Sequence, residues 1–321
     1  MQENHYSEIN PGRLQEIIDG GFRAAGFDAA GVAAYGLLGD NTRRLEEWIS
    51  RGMHADMVYM ERSAALRGDL EALLPGVRSV VVTLTSYIDT PAQTPGTPVI
   101  ARFARGEDYH KVIKSRLRAL LGMIRAEYPQ IKGRAVVDSA PTFEREWAVR
   151  AGLGWIGRSS MLVNPELGSF TLIGLLLLDH PATPSKPFAG DLCGECRRCM
   201  EYCPTGAITG DRTVDSRRCL SYQTIERRNE VEPELAPSLA GRIAGCDVCM
   251  EVCPCNSAAA IDVAAGLPGE KFDPPTAREW FAMSGREFDE RFGNTPLSRA
   301  GLDKIRSTLR AAGYAPEPER S

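Results

Sequence analysis

The chain has no long hydrophobic run. The longest, Leu172 to Leu178, falls well short of the ~20 apolar residues a membrane-spanning helix needs. It has no leader of the basic-then-apolar kind, since the first residues read MQENHYSEINPGRL. It has no excess of one charge to offer a polyanion or a membrane: 38 Lys and Arg stand against 42 Asp and Glu, a net charge of −4. A nucleic-acid partner must therefore be argued from something other than charge. No self-similarity at a period of about 20 to 50 residues is present, which excludes a solenoid. What remains is 321 residues, 43% hydrophobic and 25% charged, an ordinary soluble composition long enough for two domains and a sizeable core.

What stands out is cysteine. Nine cysteines without a secretory leader point to a reducing cytoplasm. All nine fall between residues 193 and 255. The first run, C-G-E-C-R-R-C-M-E-Y-C-P, holds Cys193, Cys196, Cys199 and Cys203. The second, G-C-D-V-C-M-E-V-C-P, holds Cys246, Cys249 and Cys253, and Cys219 stands between the runs. The first spacing is that of bacterial two-cluster ferredoxins, whose fourth cysteine ligates the other cluster. That crossing sorts Cys193, Cys196, Cys199 and Cys253 to one cluster and Cys203, Cys219, Cys246 and Cys249 to the other. Cys255 is left over as a small packed residue. Soft thiolates suit iron–sulfur clusters, and each Cys-Pro step turns the chain away from regular helix. Structural zinc prefers two separated C-x₂-C pairs, and a disulfide framework expects a short secreted chain.

Periodicity predicts helices over 12–25, 41–51 and 107–126, a short one over 70–74, and another from Ser139 to about Arg150. Strands are predicted over 27–34, around Val80–Leu84, over 99–104, up to Asp138, and over 162–164 and 169–178. Short helices are expected between the cysteines, mainly helix over 270–314, and a frayed tail from Ala315 to Ser321. The sequence Gly152-Leu-Gly154-Trp-Ile-Gly157 is a literal G-x-G-x-x-G. The residues before it read as helix, whereas a dinucleotide fingerprint needs a strand there, so the glycines read as a helix stop and a close backbone approach. Asp138, at a strand end, reads locally as a helix cap; as a general acid it would need surroundings that raise its pKa. Arg105, Tyr109, His110 and Arg158 are further polar candidates. The Arg pairs at 197–198, 217–218 and 227–228 are either phosphate contacts or solvated surface charges.

Several segments together, over residues 11–305, resemble the epoxyqueuosine reductases. These are GMHADMVYM (52–60), LLPGVRSV (73–80), ARFARGEDYHK (101–111), VDSAP (137–141), AGLGWIGRSS (151–160), RRCLSYQTIE (217–226) and the two cysteine runs. The resemblance implies an α/β (α+β) chain: a mixed-sheet corrinoid-binding domain over 1–185, a ferredoxin-like domain with two [4Fe–4S] clusters over 186–260, and a helical segment over 261–321. It implies a base-off cobalamin, cob(II)alamin at rest, held between the first two. Electrons from an external donor would pass through the clusters to cobalt, because clusters carry electrons singly and the reaction takes two. The implied substrate is epoxyqueuosine at the wobble position of tRNA, reduced to queuosine with loss of the epoxide oxygen as water. Asp138 matches the implied proton donor. Met57, Arg102, Asp138, Gly154, Trp155, Gly157, Arg158, Ser160, Ser221 and Gln223 match segments that contact the corrinoid. The resemblance further implies a monomer with no membrane partner. The chain departs from the family pattern at Cys255, Gln223 and Arg158, where tryptophan, leucine and lysine are usual. Two other readings are a corrinoid reductase of another substrate, such as an organohalide, and a ferredoxin-like carrier, for which residues 1–192 are superfluous.

Overall fold

A computed structural model of the chain describes residues 9–88, 93–210, 212–257, 272 and 274–316. Its centre is a four-stranded sheet of β1 (Ala29–Ala34), β2 (Ser79–Ser86), β3 (Gly133–Val136) and β4 (Thr171–Leu178), in the order β1-β2-β4-β3. Every pairing in it is antiparallel. The sheet expected to be mixed is therefore not; the parallel pairing joins Val99–Ile100 to Arg242–Ala244, outside it. The α+β class stands.

Alternation along β2 and β4 sorts two cores. Val81, Leu176 and Leu178 face α1 (Pro11–Ala24) and α2 (Tyr109–Glu127), with Leu14, Ile18, Ile113, Leu117, Leu120 and Ile124 against them. Val80, Val82, Leu84, Leu175 and Leu177 face the other way, onto Trp147 and Ala148 of α3 (Glu144–Arg150). Helix α1 begins where it does because Asn10 accepts from the amides of Gly12 and Arg13, with Pro11 in its first turn. Helix α2 begins at Asp108, whose carboxylate accepts from the His110 amide.

β1 runs close to the end of α3, and a Cβ on Gly31 would lie 2.1 Å from the Ala151 carbonyl oxygen. Gly31→Ala is expected to cost about 3 kcal/mol. Gly20→Ala, in α1 with nothing within 4 Å, should instead be neutral or stabilising by up to about 1 kcal/mol. Thermal midpoints of the two variants would check the contrast.

Three expected elements change. The strand over 99–104 is only Val99–Ile100, followed by a 3₁₀ turn at Arg102–Ala104, because its partner strand among the described residues, Arg242–Ala244, is three residues long. The helix expected from Ser139 starts at Glu144, since Pro141 disfavours helical geometry at the residue before it. The helix over 70–74 is a 3₁₀ turn, Leu70–Ala72, capped by Asp69. The glycine motif behaves as read: helix α3 precedes it and an antiparallel hairpin, Trp155–Ile156 with Leu162–Val163, follows.

The cysteine region carries the short helices Arg198–Glu201, Val248–Glu251 and Pro254–Ser257, and a π-helix at Tyr222–Glu226. Helices Ala277–Ala282, Gly285–Phe292 and Leu302–Ala311 follow, and pack Trp280, Phe288, Phe292 and Ile305 against Ile100, Ala104 and Ile243. The tail expected to fray falls outside the described residues beyond 316. Among the described residues no helix is long and apolar enough to cross a membrane.

Candidate active site and cysteine cage

The two cysteine runs form matching turns. Each has a short helix carrying the middle cysteine, Cys199 or Cys249, ahead of a Cys-Pro step. Burial pushes the Cys199 thiol up, and so does the closeness of Cys193, Cys253 and Cys196. Burial likewise pushes up Cys249, which feels Cys219, Cys246 and Cys203, with Cys199 behind them. Cys199 thus stands near Cys193, Cys196 and Cys253, and Cys249 near Cys203, Cys219 and Cys246. Among the described residues, no three Cys, His, Asp or Glu side chains close on one point as a single zinc ion requires. Thiolates are the soft donors that iron–sulfur clusters take, and the donor set suits them on that ground.

Cys203 differs from its neighbours. Burial raises its pKa, but the amides of Thr205, Ala207 and Ile208 outweigh this and bring it below the ordinary value; Ala207 N donates to its sulfur at 3.3 Å. Trp155 Nε1 donates to Cys193 Sγ at 3.4 Å. Such hydrogen bonds to sulfur are a lever on cluster potential. Cys255 is half-buried and lies against the first quartet; burial and then Cys253, to which it is hydrogen-bonded, push its thiol up to about 11.

The cage is sewn to the sheet layer along one seam. The Arg102 amide donates to Asp247 Oδ2 at 2.8 Å, and its guanidinium donates to the Ile88 carbonyl and lies over Phe170. Arg158 Nη2 donates to the Gly194 carbonyl at 2.7 Å. Ser160 Oγ donates to the Arg212 carbonyl. Trp155 stacks on Phe188. Gly154, with φ +138°, lets the backbone pass where a Cβ would sit 2.1 Å from the Val163 oxygen. The Asp56 amide donates to Tyr222 Oη at 3.1 Å, which brings the Met57 segment to the Ser221–Gln223 segment. Met57 Sδ accepts from Tyr59 Oη. Ser221 immediately precedes the π-helix, a form often found at functional sites, and makes no capping bond with its side chain. Gln223 is fully buried, and both ends of its amide are used: Nε2 donates to the Arg217 carbonyl and Oε1 accepts from Glu232 N.

Asp138 does not cap a helix; it lies six residues ahead of the first residue of α3, next to the start of α2. Tyr109 Oη donates to Asp138 Oδ2 at 2.5 Å. His110 Nε2 lies 2.7 Å from Asp138 Oδ1, and His110 Nδ1 lies 2.6 Å from Asp108 Oδ1. The Tyr109 and His110 rings stack, with centroids 4.1 Å apart. The upward shift that a general acid needs is not what this arrangement produces. Burial pushes the Asp138 carboxyl up, but His110, Tyr109 and the Ser139 amide outweigh it and hold it below the ordinary range. Burial pushes His110 down, but Asp138 and Asp108 outweigh it and raise it. Across from this group stand Tyr59, Arg67 and Glu144, the last raised by burial.

Of the four other polar candidates, Tyr109 and His110 join Asp138. Arg105 instead donates to the Ile100 carbonyl, and Arg158 belongs to the seam. Of the paired arginines, Arg217 binds Asp215, Arg218 the Thr205 carbonyl, and Arg227 Glu232. Arg197, Arg198 and Arg228 are exposed.

Residues 192–256 match the model of the 4Fe-4S double cluster binding domain, and residues 67–139 match that of Epoxyqueuosine reductase QueG, DUF1730. An epoxyqueuosine reductase from Synechococcus sp. (strain RCC307) is 41% identical over 287 residues, 89% of this chain and 88% of that protein. The chain belongs to the epoxyqueuosine reductase family. It is thus an oxidoreductase, and the double-cluster match, which spans all nine cysteines, gives it two iron–sulfur clusters. The epoxyqueuosine reductase of Escherichia coli (strain K12) is 36% identical over 92% of this chain and 79% of its own length. Solved epoxyqueuosine reductases superpose closely. One crystallised with an epoxyqueuosine-modified tRNA-Tyr stem loop has a TM-score of 0.84 at 27% identity, over 94% of this chain and 81% of that one. The Bacillus subtilis enzyme, solved with an aspartate-bearing catalytic loop swung out of its active site, has a TM-score of 0.83 at 27% identity, over 94% and 82%.

Proposed function

We propose that this reductase converts epoxyqueuosine to queuosine at the wobble position of tRNA, using two electrons and two protons and releasing water. The observation that carries the reading is the placement of Asp138, held by Tyr109 and His110 in a layer whose seam with the cysteine cage runs through Arg102 and Trp155. In this reading Cys193, Cys196, Cys199 and Cys253 hold one [4Fe–4S] cluster, and Cys203, Cys219, Cys246 and Cys249 hold the other. The thiol groupings around Cys199 and Cys249 support that division. Asp138 delivers a proton to the departing oxygen.

A base-off cobalamin would be held along the seam by Met57, Arg102, Gly154, Trp155, Gly157, Arg158, Ser160, Ser221 and Gln223, with Asp138 facing it. When bound, it would collect the two electrons at one metal centre. The fit is supported by Tyr59, an exposed aromatic side chain close enough to Asp138 to feel its charge, a surface suited to a bulky partner. Gln223 would serve from behind, by fixing the Arg217 and Glu232 backbone. A wobble base would be reached in a single-stranded loop. Residues 1–185, 186–260 and 261–321 would form the corrinoid, cluster and helical parts of a cytoplasmic monomer fed by an external donor.

The test is direct. Anaerobically reconstituted protein with cobalamin and a reductant, given tRNA bearing epoxyqueuosine, is expected to yield queuosine by nucleoside analysis. Retention of corrinoid absorbance after desalting separates this reading from a bare electron carrier. No conversion by protein loaded with iron and corrinoid would remove the proposed substrate.

A further inference from the structure

If Asp138 delivers the proton, its own surroundings raise a difficulty. A carboxyl held ionised by an imidazole and a phenol has no proton to give. The proton of that group has another seat: His110 lies with one ring nitrogen 2.7 Å from Asp138 Oδ1 and the other 2.6 Å from Asp108 Oδ1. A ring between two carboxylates donates through both nitrogens only as the imidazolium.

We propose that His110 is the proton store of the site, which Asp108 positions and keeps charged, and that Asp138 passes its proton on rather than holding it at rest. The proposal rests on the reading of Asp138 as donor. The step is a relay. As substrate covers Asp138 and withdraws water from its carboxylate, the charged form loses solvation. The Nε2–H bond of His110 breaks and an Oδ1–H bond forms on Asp138. His110 is left neutral, its Nδ1–H still on Asp108. The Asp138 O–H bond then breaks as the departing oxygen takes the proton, one of the two the reaction consumes; the electrons come from the external donor. His110, with its side chain 31% exposed, regains a proton from water.

Tyr109 is not an equal source. Burial and the adjacent Asp138 carboxylate push its hydroxyl far up, so it keeps its proton and serves to aim Asp138 Oδ2. The groups facing the pair are Asp108 and Tyr109 from the α2 end, and Tyr59, Arg67 and Glu144 from across the site. Glu144 is raised by burial and feels the Asp138 charge.

The experiment is single-turnover reduction of epoxyqueuosine-tRNA by holoenzyme across pH. Wild type should lose rate on an alkaline limb as His110 deprotonates. His110→Gln keeps a donor to Asp138 but carries no transferable proton, and should be about a hundredfold slower with that limb absent. Asp108→Asn caps α2 as well as Asp108 does. It should move the limb about one unit to lower pH. His110→Gln at wild-type rate with the limb in place would overturn the proposal. So would Asp108→Asn with an unmoved limb, and this second variant decides the matter if His110→Gln fails to load its cofactors. Asp138→Asn run alongside separates the two ideas. If it turns over normally, the donor reading itself is wrong; if it is dead while His110→Gln is normal, only the relay is wrong.

Discussion

Asp138→Asn is expected to slow epoxyqueuosine reduction by about a thousandfold while iron, sulfide and corrinoid contents stay at wild-type levels. The amide fills the same space and can still accept from Tyr109 and face His110, so the loop should keep its place. What it loses is the ability to bind and release a proton at the reacting oxygen. Normal turnover by this variant would exclude the donor role. The same pair gives a stability signature. His110 is raised by its carboxylates, so its contribution is whole below its unfolded pKa and fades as pH rises through the folded one. Asp138 is lowered, so its contribution is whole above its unfolded pKa and fades as pH falls through the folded one. The two coincide between about pH 4 and pH 6.5. The melting-temperature difference between wild type and Asp138→Asn should therefore be largest in that window and shrink on both sides.

Cys219→Ser is expected to remove one cluster and leave the other, so that iron falls from about eight to about four atoms per chain and reductase activity is lost. Cys219 lies outside both runs, yet its thiol is buried, with Cys203 beside it and Cys249 near. A serine there offers a harder and less acidic donor at a corner where no other cysteine waits. The spare thiol, Cys255, lies at the opposite quartet, against Cys253. Cys255→Ser should accordingly keep all the iron. Electron paramagnetic resonance of the reduced protein should show the signal of one cluster in the first variant and of both in the second. A full iron count in Cys219→Ser would break the proposed sorting.

The double-cluster domain was legible because its chemistry is written in spacing. Two residues between sulfurs and a proline after the fourth constrain the backbone locally. The buried strands β2 and β4 and the apolar faces of α1 and α2 were legible for the same reason, being periodic over one or two turns or pleats. The setting of Asp138 was not. Its partners sit about thirty residues earlier, on a helix whose opening residues read as ordinary caps. Only the register between the start of α2 and the end of β3 brings them together. Nor did spacing predict the direction of its pKa, because that is decided by which neighbours carry charge. The short strand at Val99–Ile100 and the antiparallel sheet were missed because strand partners, not local pattern, set length and direction.

The ladder between Val99–Ile100 and Arg242–Ala244 has a consequence for how such a protein can be taken apart. One rung comes from the half with the carboxylate and the other from the half with the sulfurs, and the three final helices close over both. The carbonyl of Asn294, between the last two of those helices, even accepts from the Asp108 amide that opens α2. A fragment ending at residue 260 would leave Ile100 and Ile243 without their apolar cover and Asp108 without its tether. The sulfur-bearing portion is thus not a detachable cartridge: expressed by itself or grafted onto another scaffold, it should precipitate rather than fold.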